Sequence, residues 1–138
     1  VAEARLHVNV CTPDSEPLLL EVEQLVLPGA GGVLTIFPGH TPSMTILKHG
    51  AVIAYEHVEN PQFFAIHEGF AEIMDDNIII LADRLETAES LDDKRAELAL
   101  ERARKRIDKR EEGTDIERAE AAIARATARL QAHKNELY

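Results

Sequence analysis

The chain is predicted to be an α+β protein: an N-terminal β-sandwich over residues 1–83, then an antiparallel α-helical hairpin over residues 84–138. Three observations carry that prediction. Short apolar segments separated by proline, glycine, asparagine and aspartate fill the first part. After Asp83 glycine and proline vanish except for Gly113, and alanine, glutamate and arginine take over. The charge divides at the same place: 12 of the 25 acidic residues fall in residues 1–83, but of the 15 basic ones only Arg5 and Lys48 do. The whole net charge of -10 therefore belongs to the first part, whose field would repel a phosphate backbone and disfavours nucleic acid there.

The candidate strands are Leu6–Val10, Leu20–Val22, Val33–Phe37, Val52–Tyr55, Phe63–Ile66, Phe70–Met74 and Asn77–Leu81, several of them alternating apolar and polar residues. Between them stand Pro13-Asp14-Ser15, Pro28-Gly29-Ala30-Gly31-Gly32, Pro38-Gly39, Asn60-Pro61 and Asp75-Asp76-Asn77. Each supplies restricted φ or tolerance of positive φ where the chain reverses. Many short strands at this spacing point to a sandwich or flattened barrel.

In the second part, Ser90-Leu91-Asp92-Asp93 reads as a capping box that opens a helix to about Glu111, with Ala96, Leu100, Ala103 and Ile107 on one face. Gly113 stops it. Thr114-Asp115-Ile116-Glu117 reads as a second box, before a helix carrying Ile116, Ala119, Ile123, Ala126 and Leu130. Two helices joined by so short a link fold back on each other. Alanine stripes bury little area, so at ~25 cal/mol per Å² the packing is worth only a few kcal/mol. The composition still favours helix, so the hairpin suits a movable arm.

Several chemistries are excluded. The loop Pro28–Gly32 lacks the lysine and hydroxyl of a phosphate-binding loop and leads into a strand. Cys11, the single cysteine, forms no internal disulfide and fits a reducing compartment; His7 lies on the same side of its strand, but no third residue completes a catalytic arrangement. Histidines 7, 40, 49, 57, 67 and 133 show no zinc-ligand spacing, so no metal is expected. The longest apolar run, Ile78–Ala82, is too short to span a bilayer, and membrane association is expected only through a partner.

Two charged clusters remain. Arg102, Arg104, Lys105, Arg106, Lys109 and Arg110 fall within nine residues, read as a solvated face paired with Glu101, Asp108 and Glu112, as an arm for an acidic partner, or as a charge-mediated binding module for nucleic acid. The last is disfavoured by the acidic first part and the lack of aromatics in the helices. Glu86, Asp92, Arg95, Arg125 and Arg129 form the second. An antiparallel return brings the end of the second helix beside the start of the first, where guanidinium groups would either grip a polyphosphate or form salt bridges that hold the hairpin shut.

The block Gly31-Gly32-Val33-Leu34-Thr35-Ile36-Phe37-Pro38-Gly39-His40-Thr41-Pro42, with Thr45, Lys48 and Gly50 after it, resembles the signature of the epsilon subunit of F-type ATP synthases. Phe70–Ile73, Asn77-Ile78 and Leu81–Asp83 continue the resemblance, and Leu91-Asp92-Asp93-Lys94-Arg95-Ala96 resembles that family's Leu/Ile-Asp-x-x-Arg-Ala element. The resemblance covers nearly the whole chain. It implies a sandwich of about ten strands and a helical hairpin on the rotor, a non-catalytic part that couples ion flow to ATP synthesis and restrains ATP hydrolysis. The implied partners are the gamma subunit, the c ring, met through Gly31, Gly32, Val33 and His40, and an acidic segment of the beta subunits. That segment would meet Arg102, Arg106, Lys109 and Arg110 of an extended hairpin. No cofactor is required, but a regulatory ATP is implied at Glu86, Leu91, Asp92, Arg95, Ala96, Arg125 and Arg129. The implied location is peripheral, on the cytoplasmic face of a bacterial inner membrane or the stromal side of a thylakoid. Four places depart from the family pattern: Thr35 stands where a glycine is common, His49 where a proline is, His67-Glu68-Gly69 replaces a small-Gly-Gly run, and Val33 occupies a commonly polar or acidic position in the loop implied to face the c ring.

Overall fold

The computed structural model describes residues 4–87, 93–109, 113 and 115–134. Eight strands precede two helices: β1 (Leu6–Thr12), β2 (Ser15–Val22), β3 (Gln24–Gly29), β4 (Gly32–Ile36), β5 (Ser43–Leu47), β6 (Gly50–Tyr55), β7 (Pro61–Met74), β8 (Asn77–Thr87), α1 (Asp93–Lys109) and α2 (Ile116–Lys134). The strands pair along the path β2-β1-β8-β7-β5-β3-β4, with β6 joined to both β3 and β7. β1 and β8 run parallel, and the other pairs antiparallel.

β7 and β8 serve both layers of the sandwich. Gly69–Ile73 pairs with β5, whereas Pro61–Ile66 pairs with β6, and β8 follows β7 from Phe64 to Met74. The first layer is thus β2, β1, the start of β8, the end of β7 and β5; the second is β4, β3, β6, the start of β7 and the end of β8. Among the described residues the sandwich has eight strands rather than about ten, because β7 and β8 each serve both layers as one long strand. The passage between layers is made at Glu68 (φ 49°) and Gly69 (φ 156°). A Cβ on Gly69 would lie 1.9 Å from the Leu81 carbonyl oxygen, so this crossing needs glycine for space as well as for conformation. Asp75 and Asp76, at φ 50° and 63°, form the tight reversal between Met74 and Asn77.

The main core lies between the layers. Leu6, Val8, Ile73, Ile78 and Ile80 of the first meet Leu25, Leu27, Ile36, Val52, Phe64 and Ile66 of the second. Strands of the first layer alternate buried and exposed residues, as in Asn77–Ala82. β3 and β6 instead read as continuous apolar runs and are buried on both faces. Their outer side belongs to a second cluster, in which Val26, Ile53, Phe63 and Ala65 pack against Ala132 of α2.

Several expectations are corrected. β3 and β5 did not stand out: β3 lacks alternation and ends in Pro28-Gly29, which pair with Val33 and Gly32 rather than breaking the strand. Phe63–Ile66 and Phe70–Met74 are parts of one bent strand. β8 runs on to Thr87, past the expected boundary at Asp83, because Leu85 packs against the core and Ala65–His67 pair with Arg84–Glu86. Asp115 caps α2: its carboxylate accepts the Arg118 N–H at 3.0 Å. Ser90 and Thr114, the expected caps, lie outside the described residues.

Both helices place alanine where they meet. Ala96 and Ala103 of α1 and Ala119 and Ala126 of α2 are buried, as the stripes predict. α2 has a further buried face, Ala128 and Ala132, turned to the sheet. That second face was not anticipated, since its alanines are scattered among Arg125, Arg129 and other polar residues.

Candidate functional site

The α2-facing side of the second layer grades from apolar to polar. Two-residue periodicity puts Phe63, Ala65 and His67 of β7 on it, beside Glu86 and Arg84 of β8 and Ile53 and Ala51 of β6. His49, in the turn before β6, continues the row. At the apolar end Ala132 covers Ile53 and Phe63. At the polar end Arg129 reaches Glu86: Nε donates to both carboxylate oxygens at 3.0 and 3.1 Å, and a terminal nitrogen lies 3.0 Å from Oε1. This two-point fork is the main polar tie between helix and sheet.

Glu86 has further neighbours. His67 Nε2 stands 3.2 Å from its Oε1, and Arg84 Nε 3.2 Å. His67 Nδ1 is 3.2 Å from His49 Nδ1, and His49 Nε2 is 3.4 Å from Glu68. Burial alone would raise the Glu86 carboxyl, but hydrogen bonds and charge from Arg129, then the charges of His67 and Arg84, hold it below its ordinary value. His67 is lowered from 6.5 to about 4, first by burial and then by Arg129 and His49, against the opposing pull of Glu86. His49 is lowered by burial, with Arg125 and Arg129 adding to the effect and Glu68 and Asp83 opposing it. Near neutral pH the site therefore holds an ionised Glu86, a charged Arg129 and two neutral imidazoles.

Of the residues implied for a nucleotide, Glu86 and Arg129 are brought into contact. Arg125 lies half-buried one turn before Arg129, close enough to act on His49. Arg95 is exposed on α1, and Ala96 is buried there. Leu91 and Asp92 lie outside the described residues. Arginine is a side chain suited to polyphosphate, but here Arg129 is engaged by the Glu86 carboxylate. The salt-bridge reading also holds for this pair, although the bridge ties helix to sheet rather than helix to helix. Among the described residues no group of three His, Cys, Asp or Glu side chains is placed to hold a metal ion.

The basic run lines the outside of α1. Arg102, Arg104, Lys105, Arg106 and Lys109 are all exposed; Lys105 pairs with Glu101 at 3.0 Å, and Arg110 lies outside the described residues. Gly31, Gly32 and Val33 form an exposed turn and the start of β4, whereas His40 follows the other end of that strand. The structure thus separates these four by the length of β4. The His40 loop is held to the β7–β8 turn, where the Gly39 N–H donates to Asp76 at 2.7 Å.

The first layer carries a surface that sequence reading did not single out. Register places Leu19, Asn9, Ile79, Glu72 and Met44 in one row and Cys11, Leu81, Phe70 and Ile46 in the next. Leu19, Met44, Ile46, Phe70, Ile79 and Leu81 are exposed together, an apolar patch drawn from four strands that no helix covers among the described residues. The signal was available, because Ile78-Ile79-Ile80-Leu81 puts large apolar side chains on both faces.

Residues 5–88 match the family described as ATP synthase, Delta/Epsilon chain, beta-sandwich domain, and residues 89–134 match the corresponding long alpha-helix domain. The ATP synthase epsilon chain of Bacillus velezensis is 41% identical over 130 residues, covering 94% of this chain and 98% of that one. That of Moorella thermoacetica is 39% identical over 129 residues, covering 94% and 96%. A chain in the cryo-EM structure of the Euglena gracilis mitochondrial ATP synthase shares the fold, with a TM-score of 0.79 at 20% identity over 90% of this chain and 78% of that one. Among the described residues no helix is long and apolar enough to cross a membrane. The chain belongs to the ATP synthase delta/epsilon family, as an epsilon-type, non-catalytic subunit.

Proposed function

We propose that this subunit joins the gamma subunit to the c ring, coupling ion translocation to ATP synthesis, and that its helices restrain ATP hydrolysis when they leave the sandwich. The observation that carries the proposal is the asymmetry of the sandwich among the described residues: one outer face exposes apolar side chains, while the other is covered by a helix that brings alanine methyls and the Arg129–Glu86 fork. The bare face docks on the gamma subunit, and the turn at Gly31, Gly32 and Val33, with His40, addresses the c ring. Once extended, α1 presents Arg102, Arg106 and Lys109, with Arg110 beyond them, to an acidic segment of the beta subunits. The reading places the subunit on the cytoplasmic face of a bacterial inner membrane, held there by the complex alone.

A regulatory ATP would favour the folded hairpin, with Arg125 and Arg129 and the exposed Arg95 meeting its phosphates. Its chemistry is charge neutralisation at the helix-to-sheet seam; nothing is hydrolysed there.

The test is truncation after Thr87, which keeps the whole of β8. The truncated subunit is expected to assemble with the stalk and to leave ATP hydrolysis higher than the full chain does. Equal hydrolysis by both across a range of ATP concentrations would remove the brake. Titrating ATP into the full chain and into an Arg125→Ala, Arg129→Ala variant tests the nucleotide separately, and identical responses would remove that site.

A further inference from the structure

The four side chains Glu68, His49, His67 and Glu86 form a row of three contacts at 3.4, 3.2 and 3.2 Å, with a carboxylate at each end and two imidazoles between. All four belong to the sandwich. Each contact needs one proton between its two heavy atoms, and two neutral imidazoles bring only two N–H groups. The row is therefore one proton short. If the His49 Nδ1–H donates to His67, the His49 Nε2 lone pair faces Glu68; if the direction is reversed, a lone pair of His67 faces Glu86. One added proton satisfies all three contacts.

The charged groups around the row decide when that proton enters. α2 contributes Arg125 and Arg129; β8 contributes Asp83, Arg84 and Glu86; β7 contributes Glu68 beside His67; and the turn before β6 contributes His49. Asp83, Glu68 and Glu86 favour protonation and stay with the sandwich. The two α2 arginines oppose it and leave with the helix. Burial of His67, only 4% exposed, opposes it too. A proton in the histidine pair and the guanidinium of Arg129 are thus competing cations for one carboxylate, Glu86.

We propose that the Glu68–His49–His67–Glu86 row is a proton-operated latch: a proton taken up by the histidine pair replaces Arg129 as the counter-charge of Glu86 and releases α2 from the sheet. The inference rests on the docked geometry and on neither the nucleotide nor the rotor reading, and it requires no partner. The sign follows from linkage. With α2 docked, burial first and then Arg129 and His49 lower His67 from its ordinary 6.5 to about 4. Once Arg129 leaves, the unpaired Glu86 draws His67 back toward its ordinary value, so docking is strongest above pH 6.5 and weakens as the pH falls toward 4. His49 shifts in the same direction. For one proton the docked-to-undocked ratio is expected to fall about tenfold between pH 7.5 and 5.5.

The experiment uses the full chain without nucleotide, in a Cys11→Ser background, with spin labels at Glu59→Cys on the sandwich and Glu120→Cys on α2. Pulsed electron resonance reads the docked and undocked distances at pH 7.5 and 5.5. The tenfold shift is expected with both histidines present and absent in a His49→Gln, His67→Gln variant. An unchanged ratio with both histidines present, or an equal shift in the variant, overturns the latch. A second measurement leaves the row intact: imidazole NMR titration of the unsubstituted chain and of Ala132→Glu, which places a carboxylate against Ile53 and Phe63 and so expels the helix. His67 is expected to titrate at least one pH unit higher in Ala132→Glu; the same titration in both chains overturns the proposal.

Discussion

The second layer of the sandwich is closed on its two sides by different means. Inward, Leu25, Leu27, Ile36, Val52, Phe64 and Ile66 interlock with side chains of equal size from the first layer. Each such residue buried contributes about 1.5–3 kcal/mol. Outward, the sheet offers Val26, Ile53 and Phe63, but α2 answers with Ala132 and the Arg129–Glu86 fork. A methyl contributes less than about 1 kcal/mol, and a partly exposed ion pair is worth about the same. The inward seam defines the fold, while the outward seam sets how readily the hairpin leaves it.

The largest effect is expected where the two layers are joined. In Gly69→Ala the new Cβ would meet the Leu81 carbonyl at 1.9 Å, at a φ of 156° that only glycine adopts readily. The backbone of β7 or β8 must move, and every core residue on both strands moves with it. Urea unfolding of the full chain is expected to show a loss of at least about 3 kcal/mol. An unchanged midpoint would mean that the crossing yields locally and that the inward seam is less tightly specified than its packing implies.

A smaller, differently distributed effect is expected from Ala132→Glu. Ala132 is 0% exposed, so the substitution buries a carboxylate against apolar side chains unless α2 lifts away. Lifting away is the easier course. Amide hydrogen exchange along α2 should approach that of an isolated helix, while the sandwich changes by less than about 1 kcal/mol. If β-sheet stability falls as far as in Gly69→Ala, the two seams form one cooperative unit, and the contrast between them is wrong.

Much of this contrast was legible in the sequence, and its gaps have physical causes. Alanine stripes at helical spacing, the Gly113 break and the change of composition after Asp83 are local signals, and the hairpin they describe is present. The antiparallel return already groups Glu86 with Arg129, but it does not give the direct bridge from helix to sheet, because that pairing spans 43 residues and depends on how the hairpin lies on the sheet. The His49–His67 contact was invisible for a similar reason. Each histidine looked like a departure from the family pattern, and only strand pairing shows that the two departures meet. β3 escaped notice because burial on both faces removes the alternation by which a strand is read.

The bare face of the first layer provides the opposite limit, a surface where a large change in the side chain should leave the isolated protein almost untouched. Met44 and Ile46 are each 68% exposed and point away from the core, so Met44→Ser, Ile46→Ser should alter stability by no more than about 0.5 kcal/mol per site. If anything, removing exposed apolar area improves solubility. Association is different, since apolar side chains with no partner in the isolated chain contribute only when a partner covers them. The double variant is expected to bind the gamma subunit at least about tenfold more weakly, read by titration of the isolated subunits, with its unfolding midpoint unchanged. Loss of stability with binding intact would mean that the patch supports the sheet and that the rotor contact lies elsewhere. Loss of binding alone would assign the two outer faces distinct duties, one kept free for a permanent partner and the other covered by a helix that can leave.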